Sequence, residues 1–291
     1  MTALSHELTK QAWSAVGGSA SATDDVVFKG RGGLASVFPV TDFASAAVAT
    51  ASLSIAELVR AIGRTTSVTV DRRLSSIWFS SSIRPIGWRL PAPWDPIAGD
   101  YRTGDGWIRL HTNAPHHRAA AERVLGVRGD KEAVARAVAH WAKADLEAAV
   151  VEAAGCAAEM RTTAEWRQHP QGRAIAVEPL VHIVETDRGP TPTWPLLAAR
   201  PLQGVRVLDL TRVLAGPVAS RFLAGYGADV LRIDPPGWDE AGVVPEVTLG
   251  KRCARLDLSD TSDRATFEVL LASADILLHG YRPGALDGLG F

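Results

Sequence analysis

Asp42 is the residue whose type and position most directly suggest chemistry. It stands just before the small residues Ala44, Ser45 and Ala46, at the start of an alanine-rich stretch. A carboxylate with small neighbours leaves room for a substrate, and it can attack a thioester to form an acyl anhydride. Asp42 or Thr41 would equally serve as the N-cap of the following helix. Spacing alone leaves both roles open.

A second candidate is the turn TRVLAGPVAS, residues 211–220, which follows the apolar stretch VRVLDL. Backbone N–H groups at the start of a helix can bind a phosphate or a carboxylate. The turn contains neither a G-x-G-x-x-G pattern nor a Walker lysine. On spacing alone, ordinary strand–helix packing is therefore favoured over phosphate binding.

Other reactive residue types lack suitable neighbours. His116 and His117 are followed by Arg118, with no Cys, Asp or Glu at ligand spacing, so we expect a solvated helix start and no metal. Cys156 has no adjacent basic residue and is predicted to be a structural thiol. We assign no role to His169 or to the nine tryptophans.

The composition sets limits on function. The 291 residues include 31 basic and 32 acidic ones, a formal net charge of −1, which gives no reason to expect a nucleic acid or a membrane surface as partner. Two cysteines are too few for a disulfide framework and are typical of a reducing compartment. MTALSHELTK lacks a signal-peptide core, and no run of about 18 apolar residues indicates a membrane span. We expect a cytoplasmic protein.

Local patterns predict the elements of the first half. The stretch from Phe43 to Ile62 predicts a buried helix that ends at Gly63, and SVTVDRRL, residues 67–74, predicts a short strand. Tyr101 to Leu110 predicts two strands around a Gly-Asp-Gly turn. Helices are then predicted from Pro115, over Lys131 to Ala142, and over Asp145 to Ala154.

The last part of the chain has the pattern of a parallel α/β unit. VRVLDL, ADVLRI and DILLHGY predict three strands, separated by a helix from Gly216-Pro217 and by the amphipathic helix DRATFEVLLASA. A parallel sheet with so few strands leaves an open edge. Partner elements must come from the first half, from another chain or from missing sequence.

These patterns predict four segments. The predicted boundaries are 1–90 for the segment that carries Asp42, 91–184 for a small domain, 185–200 for a linker and 201–291 for the α/β unit. The linker is predicted because its stretch ETDRGPTPTWPLLAAR combines three prolines, a glycine and little periodicity.

The α/β unit resembles a known family. PLQGVRVLDLTRVLAGPVASRFLAGYGADVLRIDPPG, residues 201–237, is similar to the N-terminal segment of class III CoA-transferases, which include formyl-CoA transferase, carnitine CoA-transferase and α-methylacyl-CoA racemase. GKRCARLDLSD and ADILLHGYRPGALDGLGF resemble the family's next two elements. The match is long and specific.

The first half resembles later parts of the same family. PVTDFASAAVATASLSIAELVRAIGRTTSVTVDRRL is similar to the segment in which the family's catalytic aspartate lies, and Asp42 falls on that aspartate. DYRTGDGWIRL and AEWRQHPQGR resemble elements of the family's small domain. The family's late segments therefore come first here, in a circularly permuted order. A stretch that the family carries after RPGALDGLGF is missing, which is the pattern of a truncated or split member.

The resemblance implies a fold and a ligand. The fold would be α/β, a Rossmann-like parallel-sheet CoA-binding unit plus a smaller α+β domain, with chains interlocked in a dimer. CoA would bind as part of an acyl-CoA substrate. By resemblance its binding residues are Val213, Ala215, Leu256, Tyr281, Arg282 and Ala285. Arg282 can pair with a CoA phosphate, or it can be an ordinary exposed turn arginine. The family often has lysine where this chain has Ser259.

By resemblance, the predicted reaction is CoA transfer from an acyl-CoA to a carboxylic acid, with Asp42 as the nucleophile. Two alternatives stay open. A racemase would move protons between an aspartate and a histidine, and His6, in a stretch weakly similar to a racemase motif, is the candidate. A noncatalytic CoA-binding subunit would account for the reversed order and the missing segment. The expected partners are an acyl-CoA, an acid, and a second copy or complementing chain.

Overall fold

The structure, a computed structural model, describes residues 2–186 and 193–291. The chain folds into two compact units, one formed by Met1–Arg89 together with Pro179–Phe291 and the other by Leu90–Glu178. The segment that carries Asp42 and the C-terminal α/β segment thus share one unit. The predicted linker 185–200 lies partly outside the described residues, and the four-segment division stays a prediction.

The N-terminal segment is mainly helical. Its elements are α1 (Ala3–Ala15), β1 (Val27–Lys29), α2 (Val40–Ala61), β2 (Thr69–Asp71) and α3 (Arg72–Ser80). β1 and β2 form a separate parallel pair, with Val27 opposite Thr69. Trp13 of α1, Leu53 of α2 and Val70 of β2 meet in its core. This core packs α1 against α2.

The helix α2 begins earlier than its sequence pattern predicts. Pro39 occupies the N-cap position without a side-chain cap, and Asp42 lies in the first turn. The prediction that Thr41 or Asp42 caps the helix is therefore wrong, because the chain is already helical when it reaches them. The sequence predicts no membrane span, but by length and composition alone α2 could cross a membrane, and 44% of its apolar window is buried inside the protein.

The strand predicted over SVTVDRRL is also shorter than expected. It ends at Asp71, whose side chain accepts hydrogen bonds from the backbone N–H groups of Arg73 and Leu74 and so caps α3. A capping aspartate satisfies the free N–H groups of a first helical turn, so a helix replaces the second half of the predicted strand. Arg72 is consequently the first residue of α3.

The second unit, Leu90–Glu178, is a small α+β fold. Its elements are β3 (Gly99–Arg102), β4 (Trp107–Leu110), α4 (Pro115–Leu125), α5 (Lys131–Val138), α6 (Lys143–Glu152), β5 (Ala157–Glu159), α7 (Thr163–Gln168) and α8 (Pro170–Ala176). The three strands pair antiparallel in the order β3-β4-β5. The hairpin and the three helices predicted here are confirmed, with α5 and α6 ending earlier than predicted.

The C-terminal segment is a parallel α/β fold, as the sequence predicts, with a fourth strand, Arg252–Arg255, that the sequence does not predict. Its elements are β6 (Arg206–Asp209), α9 (Ala215–Gly225), β7 (Asp229–Asp234), α10 (Val244–Val247), β8 (Arg252–Arg255), α11 (Thr261–Ala272) and β9 (Ile276–Leu278). The strands lie in the order β8-β7-β6-β9, all parallel. The carboxyl ends of the strands therefore meet at one edge.

The first half supplies this sheet with a helix rather than with strands. Ile55 of α2 belongs to the same buried cluster as Val207 of β6, Val230 of β7 and Ala224 of α9. Within the described residues, β1 and β2 do not join the four-stranded sheet. The helix that carries Asp42 is thus part of the core of the C-terminal segment.

Candidate active site

Asp42 lies where three helices meet. Its Oδ1 accepts hydrogen bonds from Ser5 Oγ of α1 and from Arg72 Nη1 of α3, both at 2.7 Å. Arg72 also donates to Ser5 Oγ. Ser5 is fully buried, whereas the side chains of Arg72 and Asp42 are 9% and 18% exposed. Asp42 is thus held on one oxygen and is still accessible to a ligand.

The surroundings of Asp42 favour its charged form. The hydrogen bond from Arg72 is the main cause that lowers the pKa of Asp42 from its usual 3.8. Burial opposes this effect, and the Ser5 hydroxyl adds to it. Asp42 is therefore a carboxylate at neutral pH, which is the state that a nucleophile requires.

An open groove of about 440 Å³ lies in the same segment, between the loop 31–34 and α3. Thr41, the neighbour of Asp42, joins its two walls. Its Oγ1 accepts a hydrogen bond from the backbone N–H of Leu34 at 2.8 Å and bonds to Ser76 Oγ at 2.9 Å. Arg31 and Arg73 line the groove and bring positive charge to it.

His6 does not take part in these contacts. Its ring packs edge-on against Phe28, with 4.8 Å between the ring centroids. Among the described contacts of Asp42, the residue that α1 contributes is Ser5.

A second cluster lies at the carboxyl edge of the four-stranded sheet. A cavity of about 160 Å³ is lined there by Leu256, Tyr281, Ser259, Arg212 and Asp234, among others. Two of the predicted CoA-binding residues, Leu256 and Tyr281, thus face the same cavity. In open parallel sheets, ligands bind outside the carboxyl ends of the strands.

Arg212 is the cation of this cavity. Its guanidinium carbon lies 5.4 Å from the ring centroid of Trp238 and 5.5 Å from that of Tyr281. It also donates to the carbonyl of Leu210 at 2.7 Å and to the Tyr281 hydroxyl at 3.3 Å. Arg212 Nε also lies 3.8 Å from Asp234 Oδ1 in an ion pair. Two aromatic faces, two hydrogen-bond acceptors and this carboxylate fix the positive charge at the edge of the cavity.

Val213 and Ala215 form the turn that follows Arg212. Val213 has a φ of 65°, a left-handed conformation that costs a β-branched residue about 1–2 kcal/mol. Its backbone N–H donates to Glu240 Oε1 at 2.7 Å, and Glu240 Oε2 accepts from the buried Arg232 at 2.7 Å. Ala215 begins α9. The backbone N–H of Val213, which the sequence predicts as a donor to a bound anion, thus already donates to the Glu240 carboxylate.

Arg282 and Ala285 lie on the exposed turn after β9 and do not line the cavity. The backbone N–H of Ala285 donates to the carbonyl of Arg282 at 3.1 Å and closes that turn. The structure thus joins Leu256 and Tyr281 in one cavity. Val213 follows the cavity residue Arg212, and Arg282 and Ala285 do not line the cavity.

A buried ion pair between Lys251 and Asp209 lies next to the turn that contains Val213 and Ala215. Lys251 Nζ lies 2.9 Å from Asp209 Oδ2 and also donates to Ser220 Oγ and to the carbonyl of Pro217. Burial alone would raise the pKa of Asp209, but hydrogen bonds from Ser220, Thr211 and Lys251 outweigh it and lower that pKa. Burial lowers the pKa of Lys251. The pair connects the end of β6, the start of β8 and the first turn of α9.

Sequence reasoning did not identify several members of these clusters. Ser5 and Arg72 lie 37 and 30 residues from Asp42, and no local pattern links them. Glu240 lies 27 residues from Val213, in a glycine- and acid-rich stretch without periodicity. The Asp-Arg-Arg sequence that interrupts a predicted strand was the signal that could have found Arg72.

Comparison with known proteins identifies the C-terminal segment. Residues 202–291 match the sequence model of CoA-transferase family III, and this segment of the chain is a family III segment. The chain is 30% identical over 210 residues to an acyl-CoA transferase of Gibberella moniliformis, an alignment that covers 66% of this chain and 37% of that relative. It is 36% identical over 113 residues to an acetyl-CoA:oxalate CoA-transferase of Acetobacter aceti, covering 35% of this chain and 29% of the relative.

The first of these alignments extends beyond the family segment. It covers 66% of the chain, which is more than residues 202–291 can supply, so it includes residues before 202. One alignment follows the chain order of both proteins, so that relative carries related segments in the same order.

Among solved structures, a CAIB/BAIF family protein from Brucella suis is 29% identical, with a TM-score of 0.28, and the match covers 32% of this chain and 29% of that one. The chain spans well under half the length of each of these relatives.

Proposed function

We propose that this protein transfers CoA from an acyl-CoA to a carboxylic acid, with Asp42 as the covalent nucleophile. The observation that carries the proposal is that the Asp42 segment and the family III segment share one compact unit. Ile55, on the same helix as Asp42, packs in the core of the family III segment. The permuted chain thereby supplies both an ionised carboxylate and a ligand cavity.

The chemistry begins with attack of the Asp42 carboxylate on the thioester carbonyl. The C–S bond breaks, CoA leaves as a thiolate, and an aspartyl acyl anhydride remains. The thiolate then attacks the aspartyl carbonyl, releases the first acid and forms an aspartyl-CoA thioester. The acceptor acid attacks this thioester to give a second anhydride, and CoA thiolate converts that into the new acyl-CoA.

We assign CoA to the cavity at the carboxyl edge of the sheet. Arg212 lies at its edge with its charge held between Trp238 and Tyr281, where it can attract a phosphate. Leu256 and Tyr281 offer apolar and aromatic surface for the rest of the nucleotide. Val213, Ala215, Arg282 and Ala285 remain CoA-binding candidates from the sequence.

The acceptor is proposed to be a small carboxylic acid. The groove beside α2 carries Arg31 and Arg73, and arginine pairs with carboxylates in a bidentate way. The relative from Acetobacter aceti is named for oxalate, so oxalate is a rational first acceptor to assay. We propose that a second copy or a complementing chain takes part in the active protein.

The test combines a binding and a turnover measurement. Calorimetric titration with CoA measures binding, and chromatography of CoA esters measures transfer from acetyl-CoA to a panel of acids that includes oxalate. We expect both, and we expect Asp42→Asn to bind CoA without transferring it. Transfer retained by Asp42→Asn would refute the assignment of the nucleophile.

The same experiment separates the alternatives. CoA binding without transfer to any acid would favour a noncatalytic CoA-binding subunit. Exchange of the α-hydrogen of a 2-methylacyl-CoA in deuterated water would favour a racemase. Absence of CoA binding would refute the shared premise of all three functions.

A further inference from the structure

The two oxygens of Asp42 have different surroundings. Ser5 Oγ and Arg72 Nη1 both donate to Oδ1 at 2.7 Å, and the described part of the chain provides no hydrogen-bond donor to Oδ2. Two donors on one oxygen and none on the other make the carboxylate chemically asymmetric.

The two donors are fixed independently of any ligand. Ser5 is fully buried, and Thr9 Oγ1 donates to its carbonyl at 2.6 Å within α1. Arg72 is the first residue of α3, where the Asp71 side chain caps the helix, and its carbonyl accepts a hydrogen bond from Ser76 Oγ at 2.8 Å. Donors that are already in position cost no reorganisation during a reaction.

We propose that Arg72 is a second catalytic residue, which together with Ser5 holds Oδ1 of Asp42 as an oxyanion site and leaves Oδ2 as the attacking atom. The inference rests on the proposed CoA transfer and specifies how its intermediates are handled.

The first step follows from this asymmetry. A lone pair of Oδ2 forms the bond to the thioester carbon, the C–S bond breaks, and CoA leaves as a thiolate. Oδ1 becomes the carbonyl oxygen of the aspartyl half of the anhydride. Because Arg72 and Ser5 stay on this oxygen, they polarise the aspartyl carbonyl rather than the acyl carbonyl.

The second step uses that polarisation. CoA thiolate attacks Cγ of Asp42, and the electron pair of the carbonyl moves to Oδ1, where Arg72 and Ser5 stabilise the negative charge. The intermediate collapses by breaking the bond from Cγ to Oδ2. The first acid leaves as a carboxylate that carries away Oδ2, and the aspartyl-CoA thioester remains with Oδ1.

The acceptor half reverses the sequence. A carboxylate oxygen of the acceptor attacks Cγ, CoA thiolate leaves, and the charge again passes through Oδ1. When the thiolate then attacks the acceptor's own carbonyl carbon, the bridging oxygen stays on Asp42 and becomes its new Oδ2. Each turnover therefore replaces Oδ2 with an oxygen of the acceptor and retains Oδ1.

Isotope labelling tests this directly. The full-length protein is allowed several turnovers with acetyl-CoA and ¹⁸O-labelled oxalate, or whichever acid proves to be an acceptor, and the Asp42 peptide is analysed by mass spectrometry. We expect one heavy oxygen in Asp42 of the wild-type protein. Two heavy oxygens would show that the carboxylate rotates between catalytic cycles and exchanges its two oxygens. This result would overturn the role of Arg72 and Ser5. No label despite transfer would refute the anhydride mechanism itself.

Variants separate catalysis from structure. Arg72→Met is expected to reduce kcat by about 10²–10³-fold, the usual effect of removing one oxyanion donor, and to give doubly labelled Asp42. Arg72→Lys, which keeps the charge and one donor, is expected to recover part of the rate. Lys10→Met on α1 is the matched control, because Lys10 is half-exposed and pairs with Asp24 on the surface.

A second variant guards against loss of folding. Ser5→Ala removes the other donor with a smaller change, and we expect it to lower kcat and raise the doubly labelled fraction while circular dichroism stays unchanged. Equal loss of rate in Ser5→Ala and Lys10→Met, or single labelling in a folded Arg72→Met, would contradict the proposal.

Discussion

Lys251 and Asp209 form an ion pair in which neither side chain is exposed, with 2.9 Å between Nζ and Oδ2. Replacing Lys251 with Met leaves the Asp209 carboxylate buried without its counter-charge. Breaking a buried pair in this way costs about 3–5 kcal/mol. We expect the free energy of unfolding, measured in urea, to fall by about this amount.

The next residue along the chain provides the control. Arg252 pairs with Asp229 at 2.7 Å, with side chains 70% and 49% exposed, and such surface pairs contribute about 0–1 kcal/mol. Arg252→Met should therefore leave the unfolding curve almost unchanged. An equal decrease in the free energy of unfolding in the two variants would mean that the buried ion pair stabilises the fold no more than the exposed one.

Glu240 connects the turn at Val213 to the buried Arg232. Glu240→Ala removes the acceptor of the Val213 N–H and one of the two acidic partners of Arg232, the other being Asp234. Hydrogen bonds to charged groups contribute about 1.5–3 kcal/mol, so we expect a loss of stability in this range and weaker CoA binding by calorimetry. Glu240→Gln keeps an acceptor of the same shape and should retain most of the CoA affinity. An unchanged CoA affinity in Glu240→Ala would show that this turn is not part of the proposed CoA site.

The sheet and its cavity could be predicted from sequence because their signals are local. Short apolar runs define the strands β6 and β7, and a strand–turn–helix order places the turn at Val213 on the carboxyl edge. Tyr281 follows the third predicted strand, whereas Leu256 follows β8, which no local pattern predicts. The parallel topology brings both residues to one cavity. The carboxyl ends of parallel strands lie at the same edge of a sheet. Residues that follow different strands can therefore be predicted to lie close together from sequence alone.

The contacts of Asp42 could not be predicted in this way. Ser5 and Arg72 reach it from separate helices, and no rule fixes how three helices cross. The alternation of SVTVDRRL predicts a strand at Arg72, and this prediction is wrong because Asp71 caps a helix that begins there. Capping by a side chain favours a helix where the alternating pattern favours a strand, and tertiary packing decides which of the two forms.

The low pKa of Asp42 has a consequence for stability. The folded pKa is lowered below 3.8, so the stabilisation from the charged pair is fully present above the unfolded value near 3.9 and disappears as the pH falls through the lower folded value. Urea unfolding of the wild type and of Asp42→Asn should differ by a constant amount above about pH 5. The difference should shrink only below pH 3.8. A difference that changes between neutral pH and about pH 5 would show that Arg72 does not hold the carboxylate ionised.

Two glycines of α9 should respond in opposite ways to the same substitution. A Cβ on Gly216 would lie 2.3 Å from Thr211 Cγ2 and 2.4 Å from Thr211 Cβ, whereas a Cβ on Gly225 meets nothing within 4 Å. Thr211 cannot move freely, because its backbone N–H donates to Asp209 Oδ1 at 2.9 Å. Gly216→Ala must therefore displace the turn at Val213, which costs the roughly 1–3 kcal/mol of stability typical of overpacking, and weaken CoA binding.

Gly225→Ala should stabilise the fold by up to about 1 kcal/mol, because alanine favours the helix, and leave CoA affinity unchanged. Thermal unfolding and calorimetric titration of the two variants measure both effects. Similar behaviour of the two would show that close packing of α9 against Thr211 does not shape the turn.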